Sequence, residues 1–137
     1  MQVRDNSPIA PIQCQITRHR VLPAAICRID RAIGAVGVAQ RNAERNGVSE
    51  VTEFFQGSTV PNGEQFDVVA ANILAPVLLE LCDPIVRSVE PGGTIILSGL
   101  HIDRRQDVIN RYTAEGCRLV EDLVLEGWCG VAMTKQQ

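Results

Sequence analysis

The 137-residue chain carries no surplus of positive charge: 13 Lys and Arg face 16 Asp and Glu, a net charge of −3. A nucleic-acid binder ordinarily needs a basic face to displace condensed counterions, so the balance disfavours DNA or RNA as a partner. Five cysteines, Cys14, Cys27, Cys82, Cys117 and Cys129, make no C-x-x-C pair and no cysteine/histidine cluster at zinc-ligand spacing, so no metal site is expected. They read as reduced, mostly buried thiols. His19 and His101 each stand alone, which leaves no histidine-based catalytic dyad. No apolar run approaches the roughly 20 residues that span a bilayer, and the N-terminus has acidic and polar residues where a signal peptide has its apolar core. No membrane partner is expected, and a cytoplasmic location follows. Residues 1–28 also lack glycine altogether; they hold Pro8, Pro11 and Pro23 instead.

What is present is a hydrophobic content of 45%, enough for one globular domain with a real core. From Ala24 onward, strand-like and helix-like segments alternate, the pattern of an α/β sheet built from crossover units. Ala24 to Ile29 reads as a short strand closing on Asp30. A helix from about Ala32 to Asn46 comes next, with Ala32, Ala35, Val36, Ala39 and Ala43 on one face and Asn46-Gly47 as its end. Val51 to Gln56 reads as a strand and Pro61-Asn62-Gly63 as a turn. Leu74, Leu78, Leu81, Ile85 and Val89 recur at helical spacing, with Pro84 expected to kink or interrupt the helix. Pro91-Gly92-Gly93 then turns into a strand, Thr94 to Ser98, and a helix runs from about Asp103 to Glu115 and stops at Gly116. The charged run Asp103-Arg104-Arg105-Gln106-Asp107 is expected to be a solvated helix face. Arg118 to Glu126 and Trp128 to Thr134 are strands joined so briefly at Gly127 that they must be antiparallel.

The richest segment is Phe66-Asp67-Val68-Val69-Ala70-Ala71-Asn72-Ile73-Leu74. Its valine-rich run suits a parallel strand covered on both faces, and Asn72 falls at the carboxyl end. Ligands of open α/β sheets sit beyond the carboxyl ends of the strands, where an amide can donate and accept hydrogen bonds. The residues alone leave a second reading equally open, in which Asn72 caps the next helix.

An acidic residue ending an early strand, Asn ending a later one and a closing antiparallel hairpin together resemble the Rossmann-like class I S-adenosylmethionine-dependent methyltransferase fold. Within it, residues 29 to 135 are similar to the ribosomal protein L11 methyltransferase (PrmA) family. The resemblance is carried by Phe66 through Ala75, by Pro91-Gly92-Gly93 with Leu97-Ser98-Gly99-Leu100, and by Glu126-Gly127-Trp128-Cys129. Asn42 through Val48 resembles the family's helix end. The resemblance implies a mostly parallel sheet, S-adenosylmethionine as cofactor, and methyl transfer to lysine or α-amino nitrogens of a ribosomal protein. It also implies that Asp30 accepts hydrogen bonds from the cofactor ribose and that Asn72 contacts the cofactor. Without it, Asp30 reads as a surface aspartate beside Arg28 or Arg31. It assigns no catalytic residue, and Trp128 is expected to be core or edge packing.

The resemblance leaves the family's first strand and glycine-rich loop without a counterpart. Ile12-Gln13-Cys14-Gln15-Ile16 alternates apolar and polar residues, which suits a half-exposed strand better than a doubly covered central one. Residues 1–28 are therefore expected to be an atypical segment, disordered or non-homologous, ahead of a partial catalytic domain over 29–137. The open strand edges this would leave offer a route to self-association, and the alternative to an enzyme is a truncated, non-enzymatic remnant. A frameshift, a misassigned start or a gene remnant would account for residues 1–28. Translating the upstream DNA in the other frames should reveal a glycine-rich strand-turn-helix; finding none in any frame removes that explanation.

Overall fold

In a computed structural model of the chain, residues 13–18, 25–30, 33–57 and 63–137 are described. His19, Pro8, Pro11, Pro23, Arg31 and the first two residues of the Pro61-Asn62-Gly63 turn lie outside them. The described residues form a seven-stranded sheet from β1 (Gln13–Arg18), β2 (Ala25–Asp30), β3 (Thr52–Gln56), β4 (Phe66–Asn72), β5 (Val89–His101), β6 (Cys117–Leu125) and β7 (Trp128–Lys135). The strand order is β3-β2-β1-β4-β5-β7-β6. Four α-helices accompany it: α1 (Ile33–Arg45), α2 (Ala75–Glu80), α3 (Cys82–Arg87) and α4 (Arg105–Ala114).

Pairing is parallel between β2 and β3 and between β4 and β5, and antiparallel from β5 to β7 and from β7 to β6. Strands β2 to β6 therefore share one direction, with β7 reversed, as the expected terminal hairpin requires. The centre departs from expectation. The slot between β2 and β4, expected to be empty, is filled by β1, which runs antiparallel to both neighbours. The physical reason is that β2 and β4 each present a row of backbone donors and acceptors, and a strand of either direction can satisfy them.

The apolar core lies on one face of β4, β5 and β7. Val69, Ile95, Leu97, Leu100, Val131 and Met133 are buried there against Leu78, Ile85, Val108 and Tyr112 of the three later helices. The β4 run is consequently not covered equally on both sides: Val69 and Ala71 are buried, whereas Val68 and Ala70 are half-buried. The helix expected after Asn72, with an interruption at Pro84, is interrupted three residues earlier, at Leu81, into α2 and α3, and Val89 begins β5 instead of ending a helix. Pro84 is the third residue of α3, inside the first turn, where its missing N–H costs no intrahelical bond.

Pro91-Gly92-Gly93 does not precede a strand but interrupts one. The register jumps from Phe66 opposite Val89 to Val68 opposite Thr94, so the extra residues loop out of β5. Glycine is required at 93, where a Cβ would lie 2.7 Å from Val89 Cγ1 and 2.9 Å from the Asp67 carbonyl oxygen.

Polar ties fix the helices on this face. The buried Tyr112 hydroxyl donates to the Leu78 carbonyl at 3.0 Å, joining α4 to α2. Arg105 departs from the expected solvated face: its Nε donates to Asp122 Oδ2 at 2.6 Å, with both side chains less than a third exposed. That pair pins α4 to β6, while Arg104 and Asp107 of the same run stay at the surface, 3.4 Å apart. Removing one partner of a half-buried charge pair strands the other, so Asp122→Ala should lower unfolding free energy by about 1–2 kcal/mol in a urea titration. Tyr112→Phe, which keeps the ring, should cost only about 1 kcal/mol.

Candidate functional site

The carboxyl ends of β2 and β4 flank β1. Cys14 is opposite Ile29 on one side and Ala71 on the other, so Asp30 and Asn72, each the next residue along, stand level. Two strand spacings separate their backbones, about 10 Å, a gap that a nucleoside-sized ligand can bridge. Gln56 lies beside Asp30, and Ser98 beside Asn72, on the outer neighbours β3 and β5. The sheet thus sets a row of polar residues along one end.

Asn72 is exposed and is not a helix cap. The N-cap of α2 is Leu74, with φ −63° and ψ 146°, and no side chain caps that helix. After Asn72 the chain leans onto β5, where the Ile73 N–H donates to the Ser98 carbonyl at 3.0 Å. The Asn72 carboxamide lies over Gly99, whose φ is +80°. Gly99 is part of the Leu97-Ser98-Gly99-Leu100 motif, but the sequence gives it no role of its own. A Ser-Gly pair at the carboxyl end of a strand, in reach of an Asn at the end of its parallel neighbour, is the signal that could have marked it.

The inverted β1 changes the middle of this end. A first strand parallel to its neighbours would deliver its next turn here; β1 instead begins here at Gln13, opposite Asn72, and leaves at the far end. The first glycine of the chain is Gly34, so no glycine-rich turn accompanies β1. Among the described residues, Asp30 and Asn72 thus mark the carboxyl ends of two strands that run the same way on either side of β1.

Farther along the same end, His101 closes β5 and packs edge-on against Trp128 of β7, with ring centroids 5.9 Å apart at 85°. Trp128 is 52% exposed, so it is edge packing and not core. His101 Nδ1 stands 3.1 Å from Asp103 Oδ2. Among the described residues no group of His, Cys, Asp and Glu could hold a metal ion, and no helix is long and apolar enough to cross a membrane.

The cysteines with described side chains, Cys82, Cys117 and Cys129, are buried and free. Burial pushes the Cys82 thiol from 9.0 up to about 12, against the opposing pull of the Arg111 charge, and burial raises Cys117 as well. Neither is a poised nucleophile. Because the folded value exceeds the unfolded one, the protonated Cys82 thiol contributes its full stabilisation below pH 9, and this is lost as pH rises toward 12. In native protein at neutral pH, Cys82 should resist iodoacetamide and react only on unfolding in urea, read residue by residue by mass spectrometry. Fast native alkylation would contradict that burial.

Comparison with known proteins places these observations. The profile of the family described as "Ribosomal protein L11 methyltransferase (PrmA)" matches residues 15–136. A ribosomal protein L11 methyltransferase of Rhodopseudomonas palustris is 37% identical over 118 residues, which cover 82% of this chain and 39% of that protein. The chain therefore spans about two fifths of the length of that relative. Among solved structures, ribosomal protein L11 methylase from Lactobacillus delbrueckii subsp. bulgaricus superposes with a TM-score of 0.73 at 22% identity, covering 80% of this chain and 57% of that one. An RNA methyltransferase from Salinibacter ruber, in complex with S-adenosyl-L-homocysteine, superposes with a TM-score of 0.60 at 20% identity, covering 80% and 64%. Both likenesses establish the Rossmann-like methyltransferase fold.

Proposed function

Because the chain belongs to the ribosomal protein L11 methyltransferase (PrmA) family, we propose that it is the cofactor-binding part of an S-adenosylmethionine-dependent protein N-methyltransferase whose substrate is a ribosomal protein. The observation that carries this reading is the level placement of Asp30 and Asn72 at the carboxyl ends of two strands with the same direction. The Asp30 carboxylate suits the paired hydroxyls of a ribose, and the Asn72 carboxamide, which can donate and accept, suits a group with both functions. When bound, S-adenosylmethionine supplies a methyl group already activated on a sulfonium, so the protein's part is to align a neutral amine with it. No strong base is needed for that task. The buried, protonated thiols of Cys82 and Cys117 agree with this.

A second reading is favoured by one specific observation. The inverted β1 and the absence of glycine before Gly34 leave the cofactor without its backbone cradle. A chain so built would be a non-enzymatic remnant of the family that associates with itself through the edge strands β3 and β6. The two readings part in solution. Calorimetric titration with S-adenosylmethionine should give saturable heat, and Asn72→Ala should weaken the affinity about tenfold, the worth of one well-formed hydrogen bond. No heat at millimolar cofactor, together with a dimer or larger species by light scattering, would carry the second reading instead.

A further inference from the structure

Gly99 contributes no functional group to the cofactor site, yet it is in close contact with Asn72. Ser98 and Gly99 form a bulge on β5: Leu97 pairs with Val131 and Leu100 with Cys129, so the two residues oppose Gly130 alone. Bulges re-aim side chains next to functional sites. Here the bulge bends β5 toward the end of β4, whose Ile73 N–H meets the Ser98 carbonyl at 3.0 Å.

We propose that Gly99 is a positioning residue: its bare α-carbon is the seat on which the Asn72 carboxamide rests, and this sets the direction in which Asn72 presents its amide to a ligand. A Cβ at residue 99 would come within 2.6 Å of Asn72 Oδ1, which no real Cβ contact tolerates, and within 3.1 Å of the backbone N and O of Ile73. The carboxamide is the movable partner, because it is the far end of an exposed side chain, whereas the Ile73 backbone is tied to Ser98. A methyl group at 99 would therefore swing the carboxamide off its seat. The alternative account is that Gly99 merely supplies a positive φ. Gly92 separates the two, since it lies on the same strand with φ +82° and has nothing within 4 Å of where its Cβ would stand. It carries the same backbone strain with no neighbour to displace.

The inference rests on Asn72 as the ligand-contacting residue, so its test has two independent readings. In nitrogen-labelled full chain without cofactor, Gly99→Ala should shift the Asn72 side-chain amide resonances while Gly92→Ala leaves them in place. Equal behaviour of the two variants overturns the proposal, whether or not cofactor binds. Titration with S-adenosylmethionine should then show Gly99→Ala binding about tenfold more weakly, Gly92→Ala binding as the parent does, and Gly99→Ala/Asn72→Ala binding no more weakly than Asn72→Ala alone. Additive losses in the double variant overturn the proposal. If the parent chain gives no heat, the cofactor reading fails while the resonance comparison still decides the role of Gly99. Should Gly99→Ala fail to fold, adding Asn72→Ala must restore a cooperative thermal transition; a double variant that also fails shows that Gly99 serves only the Ile73 backbone.

Discussion

Strands β2 and β4 point the same way and stand one strand apart, and every other feature of the site depends on how that gap is closed. An open gap would leave two interior ladders of peptide groups without partners, a cost that no arrangement of surface polar groups could offset. With β1 in place, β2 and β3 are joined to the rest of the sheet, and Asp30 and Asn72 are held level. The direction of β1 matters less for this closure than for where the chain goes next. A reversed strand satisfies its neighbours with antiparallel hydrogen bonds, yet it sends its outgoing link away from the polar end. Closing the sheet and choosing where the chain runs next are thus separable demands on this strand.

The opposite half of the sheet is organised by a one-sided core. α2, α3 and α4 cover a single face of β4, β5 and β7, and polar ties then fix their positions: Tyr112 to the Leu78 carbonyl, Arg105 to Asp122, and Arg111 to both Asp83 and Glu115. The Lys135 ammonium donates to the Val89 carbonyl at 2.7 Å, holding the end of β7 against the start of β5. This rigid frame lets an exposed asparagine keep a defined place, because the strands on which Asn72 and Gly99 sit cannot slide past one another without disrupting buried Val69, Ile95 and Leu97.

Periodicity and punctuation make much of this legible. The strand ending at Asn72, the strand ending at Asp30, the helix stopped near Gly116 and the terminal hairpin all follow from residue spacing and turn chemistry, and the structure places them within a residue or two. Other features are not encoded locally. Alternation of apolar and polar residues around Cys14 says that a strand can form, but nothing in that pattern fixes its direction, which pairing with β2 and β4 decides. Pro84 announces a break in the helix, but its place at Leu81 is not visible in an apolar stripe that continues smoothly to Val89, since the stripe reports a face and not the continuity of the backbone. Similarly, whether Asn72 caps a helix depends on the path of Ile73 and Leu74, set by contact with β5. Arg105 is hidden for a different reason: a charge in a charged run looks solvated until its partner, seventeen residues on, is folded beside it.

Among the residues whose side chains are described, the main apolar cluster runs from Phe66 to Met133, and α1 buries Ala39 and Ala43. The half of the sheet that bears Asn72 and the half that bears Asp30 meet through β1, which is the seam between them. A ligand held by both Asp30 and Asn72 would then act as a clasp across that seam. Part of its interaction energy would be taken up in holding the two halves together, and its affinity would report the cohesion of the sheet as much as the contacts it makes.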